Sequence, residues 1–312
     1  MPSFDSNGRL RVTFAGSSGS SASSGVSILQ NDTLIATGIT HINFADESDN
    51  NFVVTLSGSS GVTVKNMHTA IMALTGFQDS GKTGGADFYY AADYAFATGS
   101  TTQNFMVGAL FKRKYSAAHA GVVTKYQLAA NQGWYLSSPG NDFINPSVEA
   151  GRATGANVAT RQLSFPSGDD SWILAIGVWD NTSPQIDLWI NGQNAASTLF
   201  ALNATSSAVP LIVGAFGTAG TSGSARGEST ILISGVSIRT GAFVSSAEAH
   251  WQYYIECKHA GDLVQSSLMG WDHLWSVKQN TPGATWSPAV GSVSLIRTGS
   301  LTVVTDSNPR WA

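Results

Sequence analysis

The feature that most constrains this chain is a long series of short, strand-like segments separated by turn residues. Apolar and aromatic residues dominate these segments, and the clearest are residues 105–111, 122–126, 172–179 and 186–190. The last of them is followed directly by Asn191-Gly192, a dipeptide that strongly favours a β-hairpin turn. Many short strands with turns between them favour an all-β sandwich or barrel.

Composition favours the same fold class. Charged residues make up 12% of the 312 residues, against about 25% in an ordinary globular protein. This is too little Glu, Lys and Arg to cover the faces of a helical bundle. One helix is predicted, over residues 245–257, where Ser245 or Ser246 can cap the first turn and Glu248 lies within it.

Charge and cysteine content exclude several classes of protein. The formal net charge is -4 at pH 7, whereas proteins that bind nucleic acid carry basic patches. The densest basic run is Lys112-Arg113-Lys114, which we interpret as the solvated end of a strand. Cys257 is the one cysteine, so no internal disulfide can form and no oxidising compartment is required.

Targeting signals are also missing from the sequence. Residues 1–5 lack the basic and apolar regions of a secretory signal peptide. No apolar run approaches the ~18 residues of a membrane span. We therefore expect a soluble protein made in a reducing cytosol, with no cofactor and with neither nucleic acid nor membrane as a partner.

The sequence predicts four segments. Residues 1–25 form an N-terminal arm with a Gly/Ser linker, and residues 26–66 form a small β-module. Residues 67–262 are the main body, and residues 263–312 are a short C-terminal β extension. Because the β-module is near the lower limit for independent folding, we expect it to oligomerise or to dock on a neighbour.

The N-terminal arm combines a strand-like peptide with a flexible tether. Leu10, Val12 and Phe14 alternate with polar residues, as in a strand with one buried face. Residues 16–25 are almost entirely Gly and Ser, the composition of a flexible linker. A strand on a tether suits attachment to another protein, and a frayed terminus is the alternative interpretation.

The main body carries an ordered series of strand motifs. They are residues 87–90, 105–111, 121–125, 133–136, 171–179, 187–192, 210–215, 227–238 and 243–248. In this order they resemble the concanavalin A-like lectin/glucanase fold, specifically its laminin-G-like jelly-roll branch. The resemblance implies an all-β, jelly-roll β-sandwich, flanked by the small N-terminal β-module and the C-terminal β extension.

Two segments before the main body carry a second resemblance. One is the run from Phe4 to Val12, and the other is the β-module with Ile42-Asn43-Phe44. They resemble the start of many bacteriophage virion proteins and the small β-modules of phage tail and fibre proteins. The resemblance implies a virion protein, assembled in the bacterial host cytoplasm. It would attach to the particle through Phe4, Asp5, Gly8, Arg9, Leu10 and Val12.

Enzymatic activity is not predicted. Glycosidases of this fold superfamily need two carboxylates close together on one strand face, in a Glu-x-Asp-x-x-Glu pattern. Five glutamates are present, and none has that spacing: Glu47, Glu149, Glu228, Glu248 and Glu256. Asp169 and Asp170 are adjacent, so on a strand they would point to opposite faces.

Metal binding is not predicted either. Laminin-G-like domains often bind calcium through Asp, Asn and carbonyl oxygens, which makes Asp142, Asp180 and Asp187 candidates. No compact oxygen-rich loop contains them, and Asp180 is interpreted as a turn residue. His250 and His259 flank the predicted helix at a spacing that does not suit a shared metal site.

Sugar binding is the other function that the resemblance implies. Such sites need aromatic faces and planar polar side chains, which we expect on a loop over residues 137–152 and a loop over residues 218–226. The candidate carbohydrate-binding residues are Asn141, Asp142, Phe143, Arg152 and Arg226. Trp172, Trp179 and Trp189 lie within predicted strands and are interpreted as core residues.

Together these patterns predict a non-enzymatic structural protein of a bacteriophage virion that displays a lectin-like β-sandwich. A capsid decoration protein, a head fibre and a tail fibre all fit. We expect a homotrimer bound to other capsid or tail proteins. The alternative is a carbohydrate-binding adhesin of the phage tail, which recognises a glycan on the host cell surface.

Overall fold

The computed structural model describes the chain over a set of ranges separated by gaps. The described residues are 26–30, 33–39, 52–57, 61–66, 71–75, 87–92, 94, 103–115, 120–127, 132–138, 147–152, 158–162, 171–199, 210–215, 230–242, 244–306 and 310–311. The chain divides into two compact units, Met1–His68 and Thr69–Ala312. The division into four segments stays a prediction.

The first unit contains four described strands. Strand β1 (Val26–Gln30) pairs with β2 (Thr33–Ile39), and β3 (Phe52–Ser57) pairs with β4 (Gly61–Asn66), both antiparallel. Each pair forms a two-stranded sheet of its own. Short strands are thus present between residues 26 and 66, in two separate hairpin-like pairs.

The second unit contains 17 strands and one helix among its described residues. Their bounds are β5 Ile71–Thr75, β6 Phe88–Ala91, β7 Phe105–Tyr115, β8 Ala120–Gln127, β9 Gln132–Ser138, β10 Ser147–Arg152, β11 Val158–Gln162, β12 Ser171–Asp180, β13 Gln185–Ile190, β14 Gln193–Leu199, β15 Leu211–Val213, β16 Thr230–Thr240, α1 Ala247–Ala260, β17 His273–Ser276, β18 Thr285–Trp286, β19 Leu295–Thr298, β20 Thr302–Asp306 and β21 Arg310–Trp311.

The strands of the second unit form two sheets. Sheet A has eight strands in the order β11-β10-β9-β8-β15-β6-β19-β18. Sheet B has the order β14-β13-β12-β7-β16-β5-β20, with β17 beside β16 and β21 beside β12. All the described pairings are antiparallel except that of β12 with β21. The predicted all-β, jelly-roll β-sandwich is therefore confirmed.

An aromatic core lies between the two sheets. Successive residues of a strand point to opposite faces of the sheet. On strand β7, Phe105 faces this core and Met106 faces the other way. Its ring stacks on Trp179 of β12, with centroids 4.7 Å apart and planes within 9°. It also lies 5.3 Å from the ring of Trp134 on sheet A. The interpretation of Trp179 as a core residue is confirmed.

The other face of sheet B is buried as well. Trp172 and Trp189 of this face pack in a second apolar cluster with Tyr253 and Cys257 of α1. Helix α1 begins after Ser246, whose hydroxyl caps it, and ends at Gly261 in the left-handed conformation. Burial raises the pKa of the Cys257 thiol to about 12. The thiol is therefore protonated at neutral pH.

His250 packs the first turn of α1 against sheet B. Its imidazole lies parallel to the indole of Trp189, with centroids 3.9 Å apart and planes within 3°. Because the Val244 carbonyl only accepts, Nε2 donates the hydrogen bond to it, at 3.0 Å. Nδ1 is buried without a hydrogen-bond partner among the described residues. Burial lowers the pKa of His250, against smaller opposing effects of Val244 and Asp187.

The prediction for Lys112 as part of a solvated strand end is wrong. Lys112 is 8% exposed, and its Nζ lies 3.1 Å from Oδ2 of Asp306. The same carboxylate oxygen accepts a hydrogen bond from Nε1 of Trp172, also at 3.1 Å. Strand β20, far along the chain, supplies the counter-charge that allows this lysine to be buried.

Residues after α1 contribute strands to both sheets. Strand β17 pairs with β16 in sheet B, and β19 pairs with β6 in sheet A. Near the end of the described residues, β21 pairs with β12 in sheet B, where Trp311 lies beside Trp172. None of the helices in the described ranges combines the length and apolar character needed to cross a membrane.

Two leucine substitutions test where the core lies. Leu188 of β13 is fully buried, whereas Leu199 of β14 is 74% exposed. We expect Leu188→Ala to lower the free energy of unfolding by about 2–5 kcal/mol, because it leaves a cavity in a packed core. Leu199→Ala should change it by less than about 0.5 kcal/mol. If urea denaturation showed the same decrease in the free energy of unfolding for both variants, the assignment of Leu188 to the core would be contradicted.

A second prediction concerns pH. The pKa of His250 is lower in the folded protein than in the unfolded chain. As the pH falls below about 6.5, the unfolded chain therefore binds a proton at this residue before the folded protein does. The free energy of unfolding should therefore decrease between pH 7 and pH 5. His250→Phe keeps an aromatic ring on Trp189 but cannot bind a proton, so the free energy of unfolding of this variant should change less with pH. Because burial also lowers the pKa of His273, some dependence should remain.

The control for the pH experiment is His259→Phe, at an exposed position in the last turn of the same helix. It should leave the pH dependence of the free energy of unfolding as it is in the wild type. If both variants gave the same dependence as the wild type, His250 would not be the group responsible.

Candidate functional site

Most of the sequence-predicted site residues lie outside the described residues. This holds for the particle-attachment residues and for four of the carbohydrate candidates, Asn141, Asp142, Phe143 and Arg226. Their roles stay predictions. Arg152 is the last residue of β10, where it pairs with Trp134 of β9.

The single loop predicted over residues 137–152 is wrong. Strand β9 continues to Ser138 and β10 begins at Ser147. The physical reason is the alternation in β10, where Val148 and Ala150 are buried in the core on either side of half-buried Glu149. Arg152 is therefore a strand residue and not a loop residue.

The two described calcium candidates form ordinary hydrogen bonds. Oδ1 of Asp180 accepts from the backbone N–H groups of Thr182 and Ser183, as predicted for a turn residue. Oδ1 of Asp187 accepts from Nε2 of Gln185 at 2.6 Å and from the Ser197 hydroxyl at 2.5 Å. In the described part of the chain, no three His, Cys, Asp or Glu side chains are placed to share a metal ion.

A cluster of polar and aromatic residues lies on the outer face of sheet A, which points away from sheet B. Tyr126 and Ser137 are buried within it, whereas Tyr135 and Glu149 are half-buried and Thr160 is exposed. We call this cluster the tyrosine–glutamate face, defined by Tyr126, Tyr135, Ser137, Glu149 and Thr160. Strand register brings these residues together, because Ser137 pairs with Glu149, and Glu149 pairs with Thr160 on β11. Paired residues of neighbouring strands lie on the same face of a sheet.

Two tyrosines form the aromatic part of this face. The rings of Tyr126 and Tyr135 meet edge to face, with centroids 5.1 Å apart and planes at 73°. The ring of Tyr135 also lies across Gly151 of β10, where a Cβ atom would be 2.2 Å from the ring carbon Cζ. Only glycine leaves room for the ring here, so the backbone of β10 determines where Tyr135 lies.

The carboxylate of Glu149 lies beside these rings. Ser137 Oγ donates to Glu149 Oε2 at 3.5 Å. Burial raises the pKa of the Tyr135 phenol, and the nearby Glu149 carboxylate and Tyr126 raise it further. Burial also raises the pKa of Tyr126. Both phenols are therefore neutral over the physiological pH range and can donate as well as accept hydrogen bonds.

The same outer face continues as an apolar surface toward β18. Tyr135 is followed across the sheet by Thr124, Ile212, Tyr90 and Ile296, each paired with the next. Thr124 and Ile212 are buried, Tyr90 is half-buried and Ile296 is exposed. Thr124 and Ile212 are thus closed to solvent, and Tyr90 and Ile296 are the residues of this row that solvent reaches.

The chemistry of the tyrosine–glutamate face suits binding of a polyhydroxylated molecule. Aromatic rings offer apolar surface to sugar C–H groups, while hydroxyl and carboxylate groups fix orientation. Glu149 is the one acidic residue in the eight strands of sheet A. These strands therefore do not supply the pair of carboxylates that glycoside hydrolysis requires.

Sequence reasoning missed this face, although part of its signal was visible. Trp134 and Leu136 alternate with Tyr135 and Ser137, which predicts that the two polar residues share a face. The pairing with Glu149 was not visible, because β10 lies where a loop was predicted. Register between strands is a tertiary property.

Comparison with known proteins gives similarity of structure only. No family model and no curated protein matches the sequence. A protein from Bacteroides ovatus, proposed to bind carbohydrate, is 12% identical with a TM-score of 0.48, covering 80% of this chain and 65% of that one. A heptameric SAP-like pentraxin from Limulus polyphemus is 9% identical with a TM-score of 0.48, covering 75% and 94%.

A third similar structure is the CBM40 module of the Ruminococcus gnavus IT-sialidase. It is 14% identical to this chain with a TM-score of 0.39, and the match covers 55% of this chain and 93% of the module. At such identities and TM-scores, these similarities carry no ligand and no activity over to this chain.

Proposed function

We propose that this chain is a non-enzymatic structural protein of a bacteriophage virion, attached through its N-terminal part and displaying the lectin-like sandwich. A capsid decoration protein, a head fibre and a tail fibre are the forms that fit. The observation that carries the proposal is the construction of the first unit, Met1–His68, whose described strands form two separate two-stranded sheets.

A two-stranded sheet is marginally stable in water unless it packs on something else. The first unit therefore gains stability by assembling with other copies or with another protein, and we propose a homotrimer bound to capsid or tail proteins. The motif from Phe4 to Val12 and the Gly/Ser tract of residues 16–25 support attachment through a tethered strand.

The displayed sandwich supports a binding role over a catalytic one. Its sheet A provides a single carboxylate in its strands, at Glu149, and the Cys257 thiol is buried with a raised pKa. A thiol in this state is a poor nucleophile, because the thiolate is the reactive form.

Deletion of residues 1–25 tests the attachment proposal. We expect the shortened protein to keep the near-ultraviolet circular dichroism of its buried tryptophans but to be absent from purified particles. The control replaces residues 16–25 by a Gly/Ser run of equal length and different order, which preserves the tether and should preserve incorporation. Normal incorporation of the deletion variant would overturn attachment through the arm.

The second candidate function is that of an adhesin of the phage tail that binds a host-surface glycan. The tyrosine–glutamate face is the observation that favours it. Because a methyl group on Gly151 would overlap the ring of Tyr135, Gly151→Ala displaces that ring without removing any polar group. We expect it to weaken binding of host polysaccharide at least about tenfold, equivalent to about 1.4 kcal/mol, in isothermal titration calorimetry.

The matched control for the glycan experiment is Gly283→Ala. An added methyl group there has no heavy atom within 4 Å, so this variant should bind like the wild type. An unchanged affinity of Gly151→Ala for a glycan that the wild type binds would place the glycan site elsewhere.

A further inference from the structure

The start of helix α1 is held to sheet B through one buried side chain. We call residues 244–251 the first-turn segment. Of these described residues only His250 is buried, and the others are half-buried or exposed. The hairpin turn between β13 and β14 lies against the backbone of the segment, because a Cβ atom added to Gly192 would be 2.7 Å from Cα of Trp251. The attachment of this segment therefore depends on the imidazole of His250 and on this backbone contact.

The rest of α1 is anchored separately. Tyr253 and Cys257 have no exposed surface and lie in the second apolar cluster, with Trp172 of sheet B. Nε1 of Trp271 donates a hydrogen bond to the hydroxyl of Tyr253 at 3.0 Å. Native proteins open locally where few buried contacts hold a segment. The first-turn segment is such a place, and the remainder of the helix is not.

The contacts of His250 suit the neutral imidazole. Nε2 bonds to the carbonyl of Val244, and Nδ1 is buried without a hydrogen-bond partner among the described residues. A proton added to Nδ1 would create a buried positive charge and a donor without an acceptor, which is costly. Exposure of the ring to water removes that cost.

The charged groups around His250 do not offset its burial. Asp187 of β13 favours the charged imidazole, but burial has the larger effect and lowers the pKa of His250. Oδ1 of Asp187 already accepts hydrogen bonds from two side chains. Strand β14 contains no charged residue, and β12 has one, Asp180, at its end. Glu248, in the first turn of α1, is exposed.

Release of the first-turn segment would change the proton affinity of the imidazole. In water the pKa of a histidine is about 6.5, and that of buried His250 is lower. The open form therefore binds the proton more strongly than the closed form does. Since the form that binds more protons gains population as the pH falls, acid favours the open form.

We propose that the first-turn segment is a pH-sensitive switch, which covers Trp189 at neutral pH and opens in mild acid while the sandwich stays folded. His250 is the residue that senses the pH. In the closed form Trp189 is 6% exposed, so opening uncovers an apolar ring on the outer side of sheet B. The inference goes beyond the function proposed above and does not depend on it.

The test is hydrogen–deuterium exchange by mass spectrometry on the full-length protein at pH 7 and pH 5, with rates corrected for the intrinsic effect of pH. The variants are His250→Gln and His250→Phe, neither of which can bind a proton at this position. Gln keeps a donor for the Val244 carbonyl, and Phe keeps a ring on Trp189. The control is His259→Phe, at the exposed position in the last turn of α1. Thermal unfolding at pH 7 establishes which variants are folded.

We expect the amides of residues 249–251 in the wild type to be at least about fivefold less protected at pH 5 than at pH 7, because protonation of the released imidazole stabilises the open form. His259→Phe should behave in the same way. Residues 253–260 and strand β12 should keep their protection. In the folded His250 variants, residues 249–251 should be equally protected at both pH values.

Three results would overturn the switch. The first is unchanged protection of residues 249–251 in the wild type at pH 5. The second is the same loss of protection in a folded His250 variant, which would show that another group senses the pH. The third is a parallel loss throughout α1 and β12, which would show global unfolding in place of a local opening.

Discussion

The aromatic contact between the two sheets is the interaction on which the rest of the second unit depends. Phe105, Trp179 and Trp134 bring β7, β12 and β9 to a common centre. Because β7 and β12 are buried on both faces, they hold sheet A on one side and α1 on the other. The tyrosine–glutamate face lies on the outer face of sheet A, outside both of these apolar clusters.

Much of the architecture could be predicted from residue patterns. Alternation along strands such as residues 172–179, together with the Asn191-Gly192 turn, depends on neighbours in sequence, so the sequence alone indicates it. The helix was predicted for the same reason, since Ser246 and Glu248 are local signals. Strands β10 and β11 were missed because small, polar and charged residues interrupt their pattern.

The candidate site depended on information of another kind. Glu149 and Ser137 lie on strands separated by an undescribed connection, and only the register between β9 and β10 pairs them. Lys112 illustrates the same limit, since its partner Asp306 is 194 residues away. A local pattern predicts that a lysine is solvated, and a distant carboxylate overrides that prediction.

The pairing of β5 with β20 has a consequence for how the second unit is made. Leu74 and Val303 face each other although roughly 230 residues separate them, and β19 pairs with β6 over a similar separation. Contacts between such distant segments make folding slow, because a long loop must close before they form. During synthesis the two sheets therefore stay incomplete until β19 and β20 have left the ribosome, and the nascent chain exposes unpaired strands until then.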